Sequence, residues 1–173
     1  MYISNVYILM CTESWWLILA TANNFKELEA LLLKKVTNAM KETLSPAVKQ
    51  MESDNVDEFV YSAYTPEVYE RRMNEGGLSD VRNMVDTIEV NGNSIELTVD
   101  NKTKSNPDFM PRYGNSHEIA SEVEFGYGYD YGGFGEAFEE ERPFIRETIN
   151  ELKYGKAKEL MLKGLKKQGL NVK

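Results

Sequence analysis

The first long stretch of the chain has apolar residues at the spacing of a helix. From Phe25 onward, leucine, valine, alanine and methionine recur every three or four positions, with lysine and glutamate between them. This period predicts one long amphipathic helix over roughly residues 24–52. Asn23 and Asn24 suit its N-cap, and the polar cluster at 53–55 is expected to end it.

The middle of the chain changes to patterns typical of β-strands. Four segments are rich in β-formers or alternate apolar with polar residues, and they predict strands at 58–64, 86–90, 94–99 and 119–125. Asn91 and Gly92 lie between the second and third of these segments, and this pair tolerates the positive φ angles of a tight turn. The second and third segments therefore predict a β-hairpin.

A second amphipathic pattern occupies the C-terminal end. Arg142-Pro143 opens it, because proline is tolerated in the first turn of a helix, and Gly169 is placed to end it. Gly155 and Gly164 are expected to weaken or bend this helix. Each amphipathic element must bury its apolar side, so the order helix, strands, helix predicts an α+β fold. We expect a small antiparallel sheet of about four strands, with both helices packed on one face.

The length of 173 residues fits one domain. We predict a single α+β domain over 23–173, preceded by a leader, 1–22, that is disordered or results from a start site assigned too early. The apolar runs of the leader are too short to span a membrane, and no basic residue precedes Lys26 as a signal peptide would require. The run at 126–135, Gly-Tyr-Gly-Tyr-Asp-Tyr-Gly-Gly-Phe-Gly, predicts a mobile loop.

The charge of the chain narrows the classes of partner. A net charge of −8 argues against a protein that follows nucleic-acid phosphates, since such binding depends on lysine and arginine, and it also disfavours an anionic membrane surface. Basic residues nevertheless gather near the C-terminus, which leaves room for a local contact with acidic partners. They are Lys153, Lys156, Lys158, Lys163, Lys166, Lys167 and Lys173.

Few residues in the chain suit catalysis or metal binding. One cysteine, Cys11, and one histidine, His117, cannot form an intrachain disulfide or a multi-ligand Cys/His metal site. The acidic residues near Asp80 and at 139–141 fit a solvated surface better than a cation site, which needs oxygens converging from rigid elements. His117 lacks the distant partners and oxyanion hole of a catalytic triad. We therefore predict no catalytic residue, no cofactor and no metal.

Aromatic residues mark the candidate interaction surfaces. Tyrosine offers a large amphipathic contact area, and the glycines of the 126–135 loop let the backbone conform to a partner. A phosphate-binding reading of this loop fails, because no Gly-Lys-Ser/Thr follows it. The predicted interface residues are Tyr61, Tyr64, Tyr69, Arg71, Arg72, Tyr127, Tyr129, Tyr131 and Phe134.

Several segments carry a resemblance to a known family. A tyrosine-proline element at 60–72 is followed by Gly-Gly-Leu-Ser-Asp at 76–80 and then by the hairpin. Glu-Val-Glu-Phe-Gly at 122–126 precedes Arg-Pro-Phe-Ile at 142–145, which opens the last helix. In order and spacing, over about 24–169, these segments resemble the tail-completion or head–tail connector (neck, minor tail) proteins of long-tailed bacteriophages.

The resemblance implies a non-enzymatic structural protein of the virion, present in the host cytoplasm during assembly. It implies a homo-oligomeric ring at the head–tail junction that contacts other neck or tail proteins and serves tail completion or head–tail joining. Whether such a ring lines the DNA channel stays open. Two alternatives also stay open: a small cytoplasmic binding or adaptor module that uses the tyrosine-rich loop, and a metal-dependent enzyme that uses the acidic clusters.

Overall fold

The computed structural model describes residues 24–63, 65, 70–92, 94–105, 117–126 and 140–173. They belong to two compact units. Unit 1 comprises the described parts of Met1–Val48, Asp86–Thr98 and Glu151–Lys173, and unit 2 those of Lys49–Val85 and Val99–Asn150. The predicted leader lies outside the described residues, as does the predicted mobile loop apart from Gly126. A single domain over 23–173 stays a prediction.

The predicted N-terminal helix is present and begins where expected. Helix α1 spans Phe25–Ala39, a π-helical turn covers Met40–Leu44, and α2 spans Ser45–Val56. The side-chain oxygen of Asn24 accepts the N–H of Glu27 at 2.9 Å, so Asn24 is the N-cap. The apolar period and the cap therefore located this helix correctly.

The end of this helix was predicted wrongly. The helix does not stop at the polar cluster that contains Ser53 and Asn55, but continues into a second π-helical turn, Asp57–Tyr61. The Ser53 hydroxyl donates to Ser79 O at 2.7 Å, and the Asn55 amide donates to Thr148 Oγ1 at 3.0 Å. Because these side chains bind groups distant in sequence, they do not compete with the helix for its own backbone.

The predicted strand at 58–64 is also wrong, since its first half is helical up to Tyr61. Val56 and Val60 lie four positions apart, the spacing of one helical face, and both are buried in the same cluster. A segment rich in β-formers becomes helical here because burial on that face outweighs its local preference.

The hairpin is confirmed. Strand β1 spans Met84–Asn91 and β2 spans Ser94–Asn101, and together they form a two-stranded sheet. Gly92 has φ +58°, the left-handed conformation that the turn requires. Both strands are longer than predicted at the ends away from the turn.

The predicted strand at 119–125 is wrong. Residues Ala120–Phe125 form a short helix, α3, which ends at Gly126 with φ +64°. Ala120 and Val123 are buried three positions apart, whereas Phe125, needed for the strand alternation, is 37% exposed. The α+β class is thus confirmed, but the described part of the sheet has two strands where about four were expected.

The C-terminal helical segment is divided by a glycine, as predicted. Helix α4 spans Phe144–Glu151, a π-helical turn follows over Leu152–Lys156, and α5 spans Ala157–Lys167. Gly155 in this turn has φ +106°, which breaks the helical path. Packing of the helices on one face of the sheet stays a prediction.

Helix α5 ends in the glycine motif that was expected. Gly169 has φ +77°, its N–H donates to Lys166 O at 3.0 Å, and the N–H of Leu170 donates to Leu165 O at 3.0 Å. This pair of bonds is the Schellman motif, which satisfies carbonyls left without partners at a helix end.

Unit 1 packs α1 and the first π-helical turn against α5. Gly164 lies at the closest approach, where an added Cβ would be 3.0 Å from Ala39 O and 3.2 Å from Thr43 Cβ. Gly164 therefore permits close packing, and α5 continues through it without the bend that was one of its two predicted effects; the predicted weakening stays a prediction. The buried apolar side chains of the two helical stretches include Leu28, Val36, Met40, Leu44, Leu160, Met161 and Leu165.

Unit 2 has its own apolar cluster, centred on Phe144, which is fully buried. The cluster joins the end of the first helical run, α3, α4 and the segment before β1. Its other buried members are Val56, Val60, Leu78, Ala120 and Val123. This packing places the Gly-Gly-Leu-Ser-Asp segment beside the end of β2.

Replacement of Gly164 by alanine should destabilise the protein. Helix propensity alone favours alanine by about 1 kcal/mol, but the added methyl group meets the Ala39 backbone, and overpacking costs about 1–3 kcal/mol. We expect a net loss in urea unfolding. Lys34→Ala, at an exposed position of α1 in the same helix pair, is the matched control and should have little effect. A more stable Gly164→Ala variant would contradict the close packing.

Candidate functional site

The Gly-Gly-Leu-Ser-Asp segment forms a tight turn stabilised by Asp80. The Asp80 carboxylate accepts the N–H of Gly76 at 2.7 Å and the N–H of Arg82 at 3.0 Å. It also forms a salt bridge with the Arg82 guanidinium at 2.7 Å. These hydrogen bonds, that from the Arg82 side chain above all, hold the pKa of Asp80 well below its ordinary range. Asp80 therefore stabilises the turn as a carboxylate.

Gly77 cannot carry a side chain in this turn. An added Cβ would lie 2.4 Å from Met73 O and 2.9 Å from the Tyr61 hydroxyl. The Gly77 carbonyl accepts a hydrogen bond from the Asn83 amide at 3.1 Å, and the Thr103 hydroxyl lies 3.2 Å away. Close backbone approach, and not a positive φ, is the reason for glycine at this position.

Asn101, at the end of β2, connects three parts of unit 2. Its amide nitrogen donates to Glu52 Oε1 at 3.0 Å and to Leu78 O at 2.9 Å. Its side-chain oxygen accepts the N–H of Thr103 at 3.1 Å and lies 2.6 Å from the Thr103 hydroxyl. Both donors and both lone pairs of the amide are thus used. The side chain is buried, so it fixes α2, the turn and the chain after β2 to one another.

Glu52 is a buried carboxyl group in this network. Desolvation by burial raises its pKa from the ordinary 4.5 to about 7, against the hydrogen bond from Asn101, which lowers it. The nearby carboxylates of Asp100 and Glu124 raise it further. The group therefore titrates near neutral pH, and its charge state couples pH to the stability of unit 2.

Glu124 caps the N-terminus of α4 from a different helix. Its two carboxylate oxygens accept the N–H groups of Ile145 at 2.8 Å and of Arg146 at 3.1 Å. These N–H groups have no partner within the helix, and a negative charge is favourable at this end of the helix dipole. Burial nevertheless raises the pKa of Glu124. Glu124 thus ties α3 to the Arg-Pro-Phe-Ile segment.

Three of the predicted interface residues are described, and all three make contacts within unit 2. The Tyr61 hydroxyl accepts the N–H of Leu78 at 3.0 Å, and burial raises the pKa of this phenol. The Arg71 guanidinium lies 5.2 Å from the centre of the Tyr61 ring and donates to Tyr61 O. Arg72 donates to Lys104 O at 2.6 Å. Their role in an interface stays a prediction.

The other six predicted interface residues lie outside the described residues. They are Tyr64, Tyr69, Tyr127, Tyr129, Tyr131 and Phe134. Of the three described members of that set, the structure brings Tyr61 and Arg71 together.

His117 has partners that the sequence alone did not suggest. Its Nε2 lies 3.0 Å from the Glu122 carboxylate and its Nδ1 lies 3.4 Å from the Ser105 hydroxyl. The same hydroxyl accepts the His117 N–H at 3.2 Å, and Ser105 N–H donates to His117 O at 2.8 Å. The Ser105 hydroxyl accepts one hydrogen bond from the backbone, and Ser105, His117 and Glu122 together connect the chain after β2 to α3.

The described acidic residues do not converge on a cation site. Within the described ranges, no group of three or more His, Cys, Asp or Glu side chains could hold a metal ion. Asp80 forms a salt bridge with Arg82, and Glu141 forms one with Arg146 at 3.0 Å. Among the described residues, no helix has the length and apolarity needed to cross a membrane.

The geometry defines a small α+β protein in which buried polar residues hold the elements of unit 2 together. Residues 24–167 match the model of the YomN family, and the chain belongs to that family. It is 27% identical over 154 residues to the SPbeta prophage-derived uncharacterized protein YomN of Bacillus subtilis (strain 168). This alignment covers 86% of the chain and 97% of the relative. No solved structure matches the chain significantly.

These comparisons support a phage origin for the chain, the coarser part of what the sequence resemblance implied. The finer assignment to the tail-completion or connector class is therefore a proposal.

Sequence reasoning missed Glu52, Asn101 and Glu124, although two of them left a signal. Glu52 occupies a position of the apolar i, i+4 row that continues to Val56 and Val60. Asn101 continues the inward alternation of β2, whose preceding member is Val99. A polar residue in an apolar row indicates a buried hydrogen bond. No comparable pattern marks Glu124, whose partners depend on the packing of α3 against α4.

Glu52→Gln should flatten the pH dependence of stability. The folded-state pKa, about 7, lies above the ordinary 4.5, so the folded protein holds a proton that the unfolded chain releases. The stability of the parent should therefore fall as pH rises from about 4.5 through about 7, by roughly 3 kcal/mol in total. Glutamine cannot ionise, so the difference between the two proteins in free energy of unfolding, measured against pH, gives the contribution of Glu52. Glu58→Gln, exposed on the same helical run, is the control; equal slopes for parent and Glu52→Gln would refute the assignment.

Asn101→Asp should be strongly destabilising at neutral pH. Aspartate keeps the acceptor for Thr103 but replaces two donors by a carboxylate that faces Glu52 and the Leu78 carbonyl. Leaving such a buried charge without a partner costs about 3–5 kcal/mol, and acidic pH should restore part of the loss. Asn91→Asp, exposed on the same hairpin, should change chemical denaturation little. Similar losses for the two variants would contradict the central role of Asn101.

Proposed function

We propose that the chain is a structural protein of the phage neck or tail, which assembles as a ring of identical copies at the head–tail junction. Its role there is tail completion or head–tail joining, and it performs no chemistry. The observation that carries the proposal is the match of residues 24–167 to a family with a prophage-derived relative. The order of motifs that resembles connector proteins supports the finer assignment.

The use of polar groups in unit 2 is consistent with a structural role. Asp80 and Glu124 bind backbone N–H groups, while Asn101 connects three segments. Their hydrogen-bonding capacity serves the fold, so these groups do not converge on a substrate. A subunit of a closed ring needs a surface of fixed shape, and a fully satisfied buried network gives such rigidity.

The net charge of −8 suits a ring around DNA. An inner wall of mainly negative charge would let the duplex pass without binding it, since stable DNA contacts depend on lysine and arginine.

The test is assembly of the purified full-length chain. We expect sedimentation velocity to give one oligomer with a fixed sedimentation coefficient over a dilution series, and electron microscopy to give ring-shaped class averages. Non-specific aggregates would instead grow in size with concentration, so the dilution series distinguishes them from an oligomer of fixed size. In induced phage particles, mass spectrometry should find the chain in the purified virion.

A chain that stays monomeric at all concentrations and is absent from purified virions would contradict the proposal. That result would favour a small binding or adaptor module. The enzymatic alternative has a separate test: calorimetric titration with magnesium, calcium and manganese, in which we expect no binding heat.

A further inference from the structure

The part of the hairpin in unit 1, residues 86–98, carries only negative charge. It contains Asp86, Glu89 and Glu96 and no lysine or arginine. The N–H of Lys102 donates to Asn83 O at 2.9 Å, which continues the pairing of the two strands past their ends. This register places Glu89 opposite Glu96 on neighbouring strands.

Two glutamates directly opposite each other repel, and this weakens an isolated hairpin. Glu89 is exposed and Glu96 is half-buried. Neither has an ion-pair partner in the part of the chain that the structure describes. We call Glu89 and Glu96 the acidic tip; a cationic surface would complement it.

Such a surface is present elsewhere in unit 1. The exposed positions of α5 are four lysines and one glutamate. These residues are Lys158, Lys163, Lys166, Lys167 and Glu159. Just before this helix, Tyr154 is 90% exposed at the break formed by Gly155, with Lys153 and Lys156 nearby in sequence.

Tyrosine is enriched at protein interfaces, and a ring so fully exposed to water gains by being covered. We call Tyr154 together with the four exposed lysines of α5 the basic strip. None of these four lysines forms an ion pair with another described residue. The tip and the strip are thus complementary in charge.

We propose that the acidic tip of one copy docks on the basic strip of a second copy. The contact joins two different surfaces, so it is head-to-tail, and repetition of a head-to-tail contact generates a ring when the rotation closes. This inference rests on the proposed function, for which it names the subunit interface. It also accounts for the opposed glutamates, because the neighbouring copy supplies the missing cations.

Charge reversal on either side tests the contact. The tip variant, Glu89→Lys with Glu96→Lys, keeps two like charges opposite each other, so the internal repulsion of the hairpin is unchanged. The strip variant is Lys163→Glu with Lys166→Glu. Each variant alone would present two surfaces of the same sign to its neighbour. We expect at least about a tenfold weaker self-association for each, measured by sedimentation velocity, and weaker association of the parent at higher salt.

The decisive measurement is rescue. A 1:1 mixture of the tip and strip variants should assemble again, since contacts between the two variants join opposite charges, and so should one chain carrying all four substitutions, in which every contact does so. Lys34→Glu with Lys41→Glu changes two exposed lysines elsewhere in unit 1 and is the matched control for net charge; it should assemble like the parent. Circular dichroism and thermal unfolding confirm that each variant is folded.

The outcomes separate the two proposals. An oligomeric parent whose assembly is unaffected by either reversal overturns the docking contact and leaves the ring proposal standing. A monomeric parent overturns both. Labelled duplex DNA is titrated in parallel: if the strip variant loses DNA binding but still assembles, the lysines serve nucleic acid, and the docking contact is wrong.

Discussion

The structure of unit 2 depends on one buried amide. Asn101 uses two donors and two lone pairs to join α2 through Glu52, the glycine turn through Leu78 O, and the chain after β2 through Thr103. A buried amide with every hydrogen bond made is favourable, whereas each missing partner would carry the cost of desolvation. The backbone must therefore bring all these groups to the same place, which fixes the geometry of the surrounding segments.

The same constraint explains why the turn has its sequence. Gly77 allows Met73 and Tyr61 to approach the backbone, while its carbonyl accepts from Asn83. Asp80 stabilises the turn from within, and its low pKa keeps it charged at all ordinary pH values. Glu52 is the opposite case, a carboxyl group whose burial makes ionisation costly. One network thus contains a permanent charge and a group that titrates near neutral pH.

The distribution of charge separates the parts of the molecule whose charged groups serve the fold from those whose charged groups are available for a contact. In unit 2, charged groups mostly have short contacts with backbone or with opposite charges. In unit 1, the acidic tip and the basic strip present charges that the described chain does not neutralise. A ring of identical copies would bring such surfaces together, which links the proposed assembly to a physical property of a single subunit.

Local patterns were sufficient for much of the fold. The helical period and the Asn24 cap located α1, the alternation around Gly92 located the hairpin, and Gly155 and Gly169 marked the bend and the end of the last helix. These features depend on residues close in sequence, so the amino-acid order alone determined them. The predicted strands at 58–64 and 119–125 were wrong because the conformation of these segments depends on residues distant in sequence. Their β-formers are helical because Val60 and Val123 bury against Phe144, and Glu52, Asn101 and Glu124 meet their partners only after that packing. Tertiary structure decided these elements and the site, since a burial free energy shared among distant segments outweighs a local preference.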